Sequence, residues 1–371
     1  MLTGFNSIAT MQLVERNLIG LDDDVMPHLP EIRKLKLLVS FDGDEPVFED
    51  IKSNPTVRQL LTHTSGFAYD WVSPAQKKFR ETFKLGDMFW SDDNAPRSSI
   101  AGVPFNFQPG TSFCASVCCL FRAPLADSAL QYSQSIDWLG FLIEVLSGQN
   151  LDEYFQDNIF KPLGISDMSF YELPGYAAKH TNVARRRDVN TGEQDKYGYE
   201  PTESWLGPRP QICLGGAGMR GSPRSYMRIL RALLRRGELD GARILSPESV
   251  DIFTSPLIEN EDVLKSVQTG LRYHMDPYSR HPQSGWVEGE LSTETRKNWG
   301  GGGAYYHDTL ESGRQGGSMT WSGAANLYWV LDPKSDKCFI IWCNTICRPE
   351  MPSFDANVYT MWREVERALY A

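Results

Sequence analysis

The sequence predicts an α+β fold. Helix start and stop signals fill the middle of the chain, two β-rich runs meet around the turn "DPKSD" late in it, and a last helix closes it. No strand–helix–strand alternation is present, which excludes a parallel doubly wound sheet.

Each element has its own warrant. Ile8, Met11, Val14 and Leu18 recur at near-helical spacing, so a first amphipathic helix is expected over about residues 6–19. In "NPTVRQLLTHTSG" Thr56 is a capping residue, Gln59 stands where a capping box needs it, and Gly66 supplies the stop. "SIDWLGFLIEVLSG", from Ser135 to Gly148, is apolar enough for a buried helix. Asn150 and Glu153 then cap "LDEYFQDNIF", which ends before Pro162. Ser222-Pro223 and Ser246-Pro247 start two more helices, because proline fits the first helical position. After about residue 265 the texture turns to glycine and aromatics. "NLYWVLDPKSDKCFIIWCN" reads as a hairpin and "FDANVYTMWREVERALYA" as the closing helix. The expectation is one domain over 1–371, with a helical part within 56–225 and a sheet-rich part over 265–371.

Composition narrows the partners. The chain has 371 residues, 41% hydrophobic and 23% charged, and a net charge of −10. Nucleic acid is a poor partner for such a surface, since there is no basic surplus to neutralise phosphates. No run is long and apolar enough for a membrane span, and the first residues do not resemble a signal peptide. Seven cysteines, an odd number, read as reduced thiols and a cytoplasmic location rather than a disulfide framework.

Taken singly, the candidate sites have plain structural readings. His63 in "LLTHTSG" reads as a structural histidine at a helix end, "GGAG" (215–218) as a tight turn and "WGGGG" (299–303) as a flexible loop. The six histidines show no metal spacing. Cys114, Cys118 and Cys119 have no second pair with which to hold zinc.

Taken in order, "LLTHTSGFAYD", "PGTSF", "QYSQSIDWLG", "NIFKPLGISDMSF", "GGAGMRGSPRSYMRIL" and "SMTWSGAANLYWVLDP" resemble the serine β-lactamase-like family. That group holds class C β-lactamases, penicillin-binding proteins, related esterases and fungal acyltransferases; the look is nearest to the statin side-chain transesterases. The resemblance implies an antiparallel sheet flanked by helices, plus a mostly helical subdomain with the site between them. It implies acyl transfer or ester hydrolysis through a serine ester, with a Ser-x-x-Lys motif supplying nucleophile and base. Tyr132 matches the family's proton-relay tyrosine, with Ser133 beside it; its other reading is an aromatic capping the next helix. Trp321, Ser322 and Gly323 match the strand edge that lines the acyl pocket, with plain core structure as the alternative for Trp321, and Gly216 joins them as a substrate-binding residue. The acceptor implied is a small-molecule alcohol of a fungal secondary pathway. The donor is an ester or a thioester, on coenzyme A or a carrier protein by analogy alone. No metal or organic cofactor is implied.

Two departures stand out. Aligning "IATMQLVERNLIGLDDDV" on the family's first helix puts the motif lysine near Thr3 and its serine ahead of Met1, and the chain contains no Ser-x-x-Lys. The strands that precede the motif are expected to be missing too. A catalytically inactive homologue is the alternative. A hydrolase using Ser65 is disfavoured, because no lysine is near it in sequence. The second departure is "CASVCCLFRAPLADSAL" at 114–130: removing it joins "PGTSF" to "QYSQ" as the family does. The segment is read as an aberrant insertion, a translated intron, with a genuine loop as the rival.

Overall fold

The computed structural model describes residues 2–70, 73–85, 102–114, 133–175, 184–186, 199–201, 210, 212–275, 295–323, 327–346 and 356–371. The first helix, α1, spans Leu2–Glu15 and buries Phe5, Ile8, Ala9, Met11 and Leu13. It starts and stops earlier than its spacing suggested. Asn17 takes a left-handed φ of 56°, which ends the helix, and Leu18 is left 46% exposed.

A hairpin follows, β1 (Leu37–Asp42) and β2 (Glu45–Glu49), turning at Gly43 with φ 60°. Its Asp-Gly signal was in the sequence. Helix α2 (Val57–Leu61) carries the expected capping box of Thr56 and Gln59. Helix α3 (Pro74–Phe83) was not foreseen, although Ser73-Pro74 is the same start signal used at 222 and 246. Helix α4 (Ser135–Ser147) is buried through its first nine residues and stops at Gly148, φ 72°. Helix α5 (Leu151–Phe155) has the Asn150–Glu153 box and runs on as a π-turn over Gln156–Phe160. The short strands β3 (Ala184–Arg186) and β4 (Tyr199–Pro201) pair with each other.

Ser222 and Ser246 cap α6 (Pro223–Leu234) and α7 (Pro247–Phe253), with a two-rung hairpin, β5 (Glu238–Leu239) and β6 (Ala242–Arg243), between them. Helix α8 (Glu261–Met275) corrects the reading of this stretch as the start of glycine-rich, aromatic texture. Val263, Val267 and Leu271, four apart, form its buried face.

The main sheet holds β7 (Lys297–Trp299), β8 (Ala304–Tyr306), β9 (Met319–Gly323), β10 (Leu327–Asp332) and β11 (Lys337–Trp342), antiparallel throughout in the order β11-β10-β9-β8-β7. The expected "DPKSD" hairpin is β10–β11. A two-residue strand, β12 (Thr345–Ile346), pairs in parallel with β3. Helix α9 (Ala356–Tyr370) covers the sheet: Trp362 stacks on Tyr328 at 5.4 Å, and the Tyr370 hydroxyl donates to Asp332. Helices and an antiparallel sheet around one core make the α+β architecture the sequence predicted. Among the described residues no helix is long and apolar enough to cross a membrane.

Candidate active site

The site is built on the backbone of His63. This residue follows α2 in the left-handed region, φ 57°, uncommon outside glycine though histidine adopts it more often than most. Its carbonyl accepts the Cys114 N–H at 3.1 Å, and its Nδ1 lies 2.9 Å from Ser133 Oγ. Ser133 Oγ donates to Ser135 Oγ at 2.6 Å, and Ser135 Oγ is 2.6 Å from Ser65 Oγ. All four side chains are buried, and burial pulls the His63 imidazole down to about 3, so the ring is neutral at ordinary pH. Ser65, enclosed and hydrogen-bonded, has the surroundings of a structural hydroxyl rather than a nucleophile.

An aromatic ladder runs from the same ring to the sheet. His63 meets Trp299 edge-on at 5.0 Å, and Trp299 meets Trp321 edge-on at 4.5 Å. The Trp299 indole N–H donates to the Leu61 carbonyl, fixing the ladder to the end of α2. Trp321 is 2% exposed and sits opposite Trp329 in β10; Ser322 is buried on the other side of the strand, and Gly323 is half-buried at its end.

The 299–303 stretch is a packed turn, not the flexible loop expected of it. A Cβ on Gly301 would fall 2.7 Å from the Phe253 ring, and one on Gly303 2.6 Å from the Thr320 carbonyl. On Gly302 it would come within 3.2 Å of Gly4 Cα, so this turn touches the first turn of α1. The same first turn reaches the second glycine turn, where Asn6 Nδ2 donates to the Gly215 carbonyl at 2.8 Å.

Asp137, in the first turn of α4, completes the arrangement. It is 1% exposed and accepts the Tyr69 hydroxyl at 2.6 Å and the Gly216 N–H at 2.7 Å. Burial pushes its carboxyl up to about 6, against the opposing pull of the Tyr69 and Gly216 hydrogen bonds. Sequence reasoning passed over Asp137, Tyr69 and Asn6. An aspartate inside the apolar run "SIDWLGFL" was the available signal, because a carboxylate on a buried face needs donors.

Asp137 thus ties the start of α4, two residues after Ser135, to Gly216, while Ser133 and Trp321 are linked to His63, the one directly and the other through Trp299. Tyr132 and residues 115–130 lie outside the described residues. Cys114, the first residue of the suspect segment, is buried. Cys114 and Ser133, on either side of that gap, are both hydrogen-bonded to His63. Among the described residues no group of His, Cys, Asp and Glu could hold a metal ion.

The chain matches the profile of the Beta-lactamase family over residues 4–116 and 120–353. It belongs to the beta-lactamase family. Among curated relatives it is 28% identical to monacolin J acid methylbutanoyltransferase of Aspergillus terreus, over 96% of this chain and 80% of that one. It is also 28% identical to a lovastatin esterase of Penicillium rubens, over 90% of this chain and 75% of that one. Among solved structures, unliganded simvastatin synthase from Aspergillus terreus superposes with a TM-score of 0.76 at 27% identity, covering 100% of this chain and 81% of its own.

Proposed function

We propose that the protein is an acyltransferase or esterase that moves an acyl group onto a small-molecule alcohol of secondary metabolism, through a serine ester. The observation that carries this reading is a chain of contacts between segments distant in sequence: His63–Tyr69 joins Ser133–Asp137, Asp137 joins Gly215–Gly216, and α1 touches that turn through Asn6 and the 299–303 turn through Gly4. Family membership and relatives named as a transferase and an esterase support the same chemistry. Tyr132, directly before the anchored Ser133, is assigned the proton relay. A phenol beside a motif lysine has a lowered pKa and can take a proton from a nucleophile and return it to a leaving group. Ser133, Gly216, Trp321, Ser322 and Gly323 are assigned to substrate binding, and the donor to the thioesters and esters, carried on coenzyme A or a carrier protein.

One observation favours a second reading, a catalytically inactive homologue: none of the 371 residues starts a Ser-x-x-Lys. The genomic DNA ahead of the Met1 codon separates the two. An in-frame Ser-x-x-Lys there supports the enzyme, and its absence supports the inactive homologue. In a chain bearing that motif, Tyr132→Phe is expected to lower the acyl-transfer rate about 10²–10⁴-fold, the range of general acid–base catalysis. A rate within about threefold of the parent would make Tyr132 structural.

Residues 114–130 are assigned to a retained intron. The hold of His63 on Cys114, where the segment begins, and on Ser133, just after it ends, supports this, because the two ends of the segment already lie at one residue. Mature transcript should lack these codons, and cDNA across the "PGTSF–QYSQ" junction tests it. A dominant transcript that retains the segment would make it a true loop.

A further inference from the structure

The GGAG turn is fastened at both ends. At its far end Arg220 and Ser169 exchange backbone hydrogen bonds of 2.9 and 3.1 Å. At its near end a Cβ on Gly215 would fall 2.0 Å from the Ile136 carbonyl, so the turn lies directly on the first turn of α4. Only residues 216–219 are left between the two fastenings, and all four are half-exposed.

We propose that Asp137 is a positioning residue that holds Gly215–Gly218 in place as a fixed wall of the active site, by taking the Gly216 N–H on one carboxylate oxygen and the Tyr69 hydroxyl on the other. The proposal rests on the acyl-transfer reading only in setting that wall against substrate; the clamp itself stands on the geometry.

A carboxylate is a costly residue for a purely structural contact between a helix and a turn. Burial here drives its pKa up to about 6, and the buried charge is offset by two donors and by its place in the first turn of α4, where the helix dipole favours an anion. What the charge adds is a short, directional hold on one backbone amide. Tyr69 fixes the carboxylate from the His63 side, and Asn6 fixes the neighbouring Gly215 carbonyl from α1. Three of the segments that meet at the site are therefore locked through one side chain. A consequence follows for the chemistry. The Gly216 N–H is already bonded to Asp137, so it is not the group that would meet an oxyanion, and the turn contributes by its position.

The test is amide hydrogen exchange by mass spectrometry on the full chain, read on overlapping peptides across 212–222. Asp137→Ala is expected to speed exchange at Gly216 about tenfold or more, the effect of losing a hydrogen bond to a charged group. Peptides within α6 and α7 should stay at the parental rate. Asp137→Asn keeps an acceptor oxygen and is expected to restore protection to within about threefold, which a general packing role would not require. Should Asp137→Ala fail to fold, Tyr69→Phe takes its place. That variant removes only the second donor, and a two- to fivefold rise confined to 215–218 is expected. Unchanged Gly216 exchange in a folded Asp137→Ala or Tyr69→Phe chain would overturn the clamp, as would a rise spread evenly over all helices. A loosened turn in a Ser-x-x-Lys-bearing chain whose acyl transfer is unaltered would leave the clamp standing and remove Gly216 from the substrate site.

Discussion

Asp137, in the first turn of α4, and Arg314, under α9, are both buried charges, and their surroundings differ in kind. Asp137 is met by neutral donors, a phenol and a backbone amide. Arg314 is met by a charge: its Nε lies 3.4 Å from Glu366, whose carboxylate also accepts the Ser312 hydroxyl. Aromatic faces complete that second pocket, with the guanidinium 4.5 Å from the Tyr306 ring centroid and 6.0 Å from that of Trp362. The difference separates two tasks. An ion pair walled by aromatic rings is a fixed rivet between the sheet and the last helix. A carboxylate held by neutral groups keeps a pKa near the physiological range, so its charge state responds to its surroundings. The riveted pair lies beneath α9; the titratable group lies where the candidate site is assembled.

The rivet should give the largest effect. Arg314→Met leaves the buried Glu366 without its counter-charge and is expected to cost about 3–5 kcal/mol in urea unfolding. The double variant Arg314→Met, Glu366→Leu removes both charges and should recover most of that loss. If the double variant is as unstable as the single one, the pair is not what holds α9.

Asp137 should give a smaller effect that depends on pH. Its folded pKa, about 6, stands above the ordinary 3.8, so the folded state binds the proton more tightly than the unfolded chain. Stability from this group is therefore fully present below about pH 4 and is lost as pH rises through 6; at ~1.4 kcal/mol per pH unit the loss is about 3 kcal/mol. Asp137→Asn has no carboxyl to titrate. Relative to the parent, it should gain up to about 3 kcal/mol between pH 4 and pH 8 in paired urea titrations. A difference that stays flat across that range would mean Asp137 is not the titrating group.

Much of the frame was legible in the sequence, for a local reason. The capping boxes at Thr56 and Asn150, the Ser-Pro starts at 222 and 246, the Gly148 stop and the β10–β11 turn are all settled by neighbours a few residues apart. Helices α3 and α8 were missed although both carried signals, Ser73-Pro74 and the 263, 267, 271 spacing. The site was legible only as motifs in order. Which side chains join them could not be read locally: Asp137 finds Tyr69 68 residues away and Gly216 79 away, and His63 finds Ser133 at 70. The glycines of 299–303 looked flexible because composition reports freedom, whereas their role is close approach to Phe253, Thr320 and Gly4. For Tyr132, the strongest candidate on the sequence, the test passes to chemistry.

Intact-mass spectrometry after exposure to an activated short-chain thioester tests the account most directly. Chain 1–371 is expected to show no acyl adduct. The same chain with Thr3→Lys, and with a serine set immediately before Met1 so that the pair has Ser-x-x-Lys spacing, is expected to gain one acyl group on that serine. A stoichiometric adduct on chain 1–371 would contradict the account and identify a different nucleophile. No adduct on a folded, motif-bearing chain would contradict it from the other side, leaving a beta-lactamase-family scaffold without acyl-transfer chemistry.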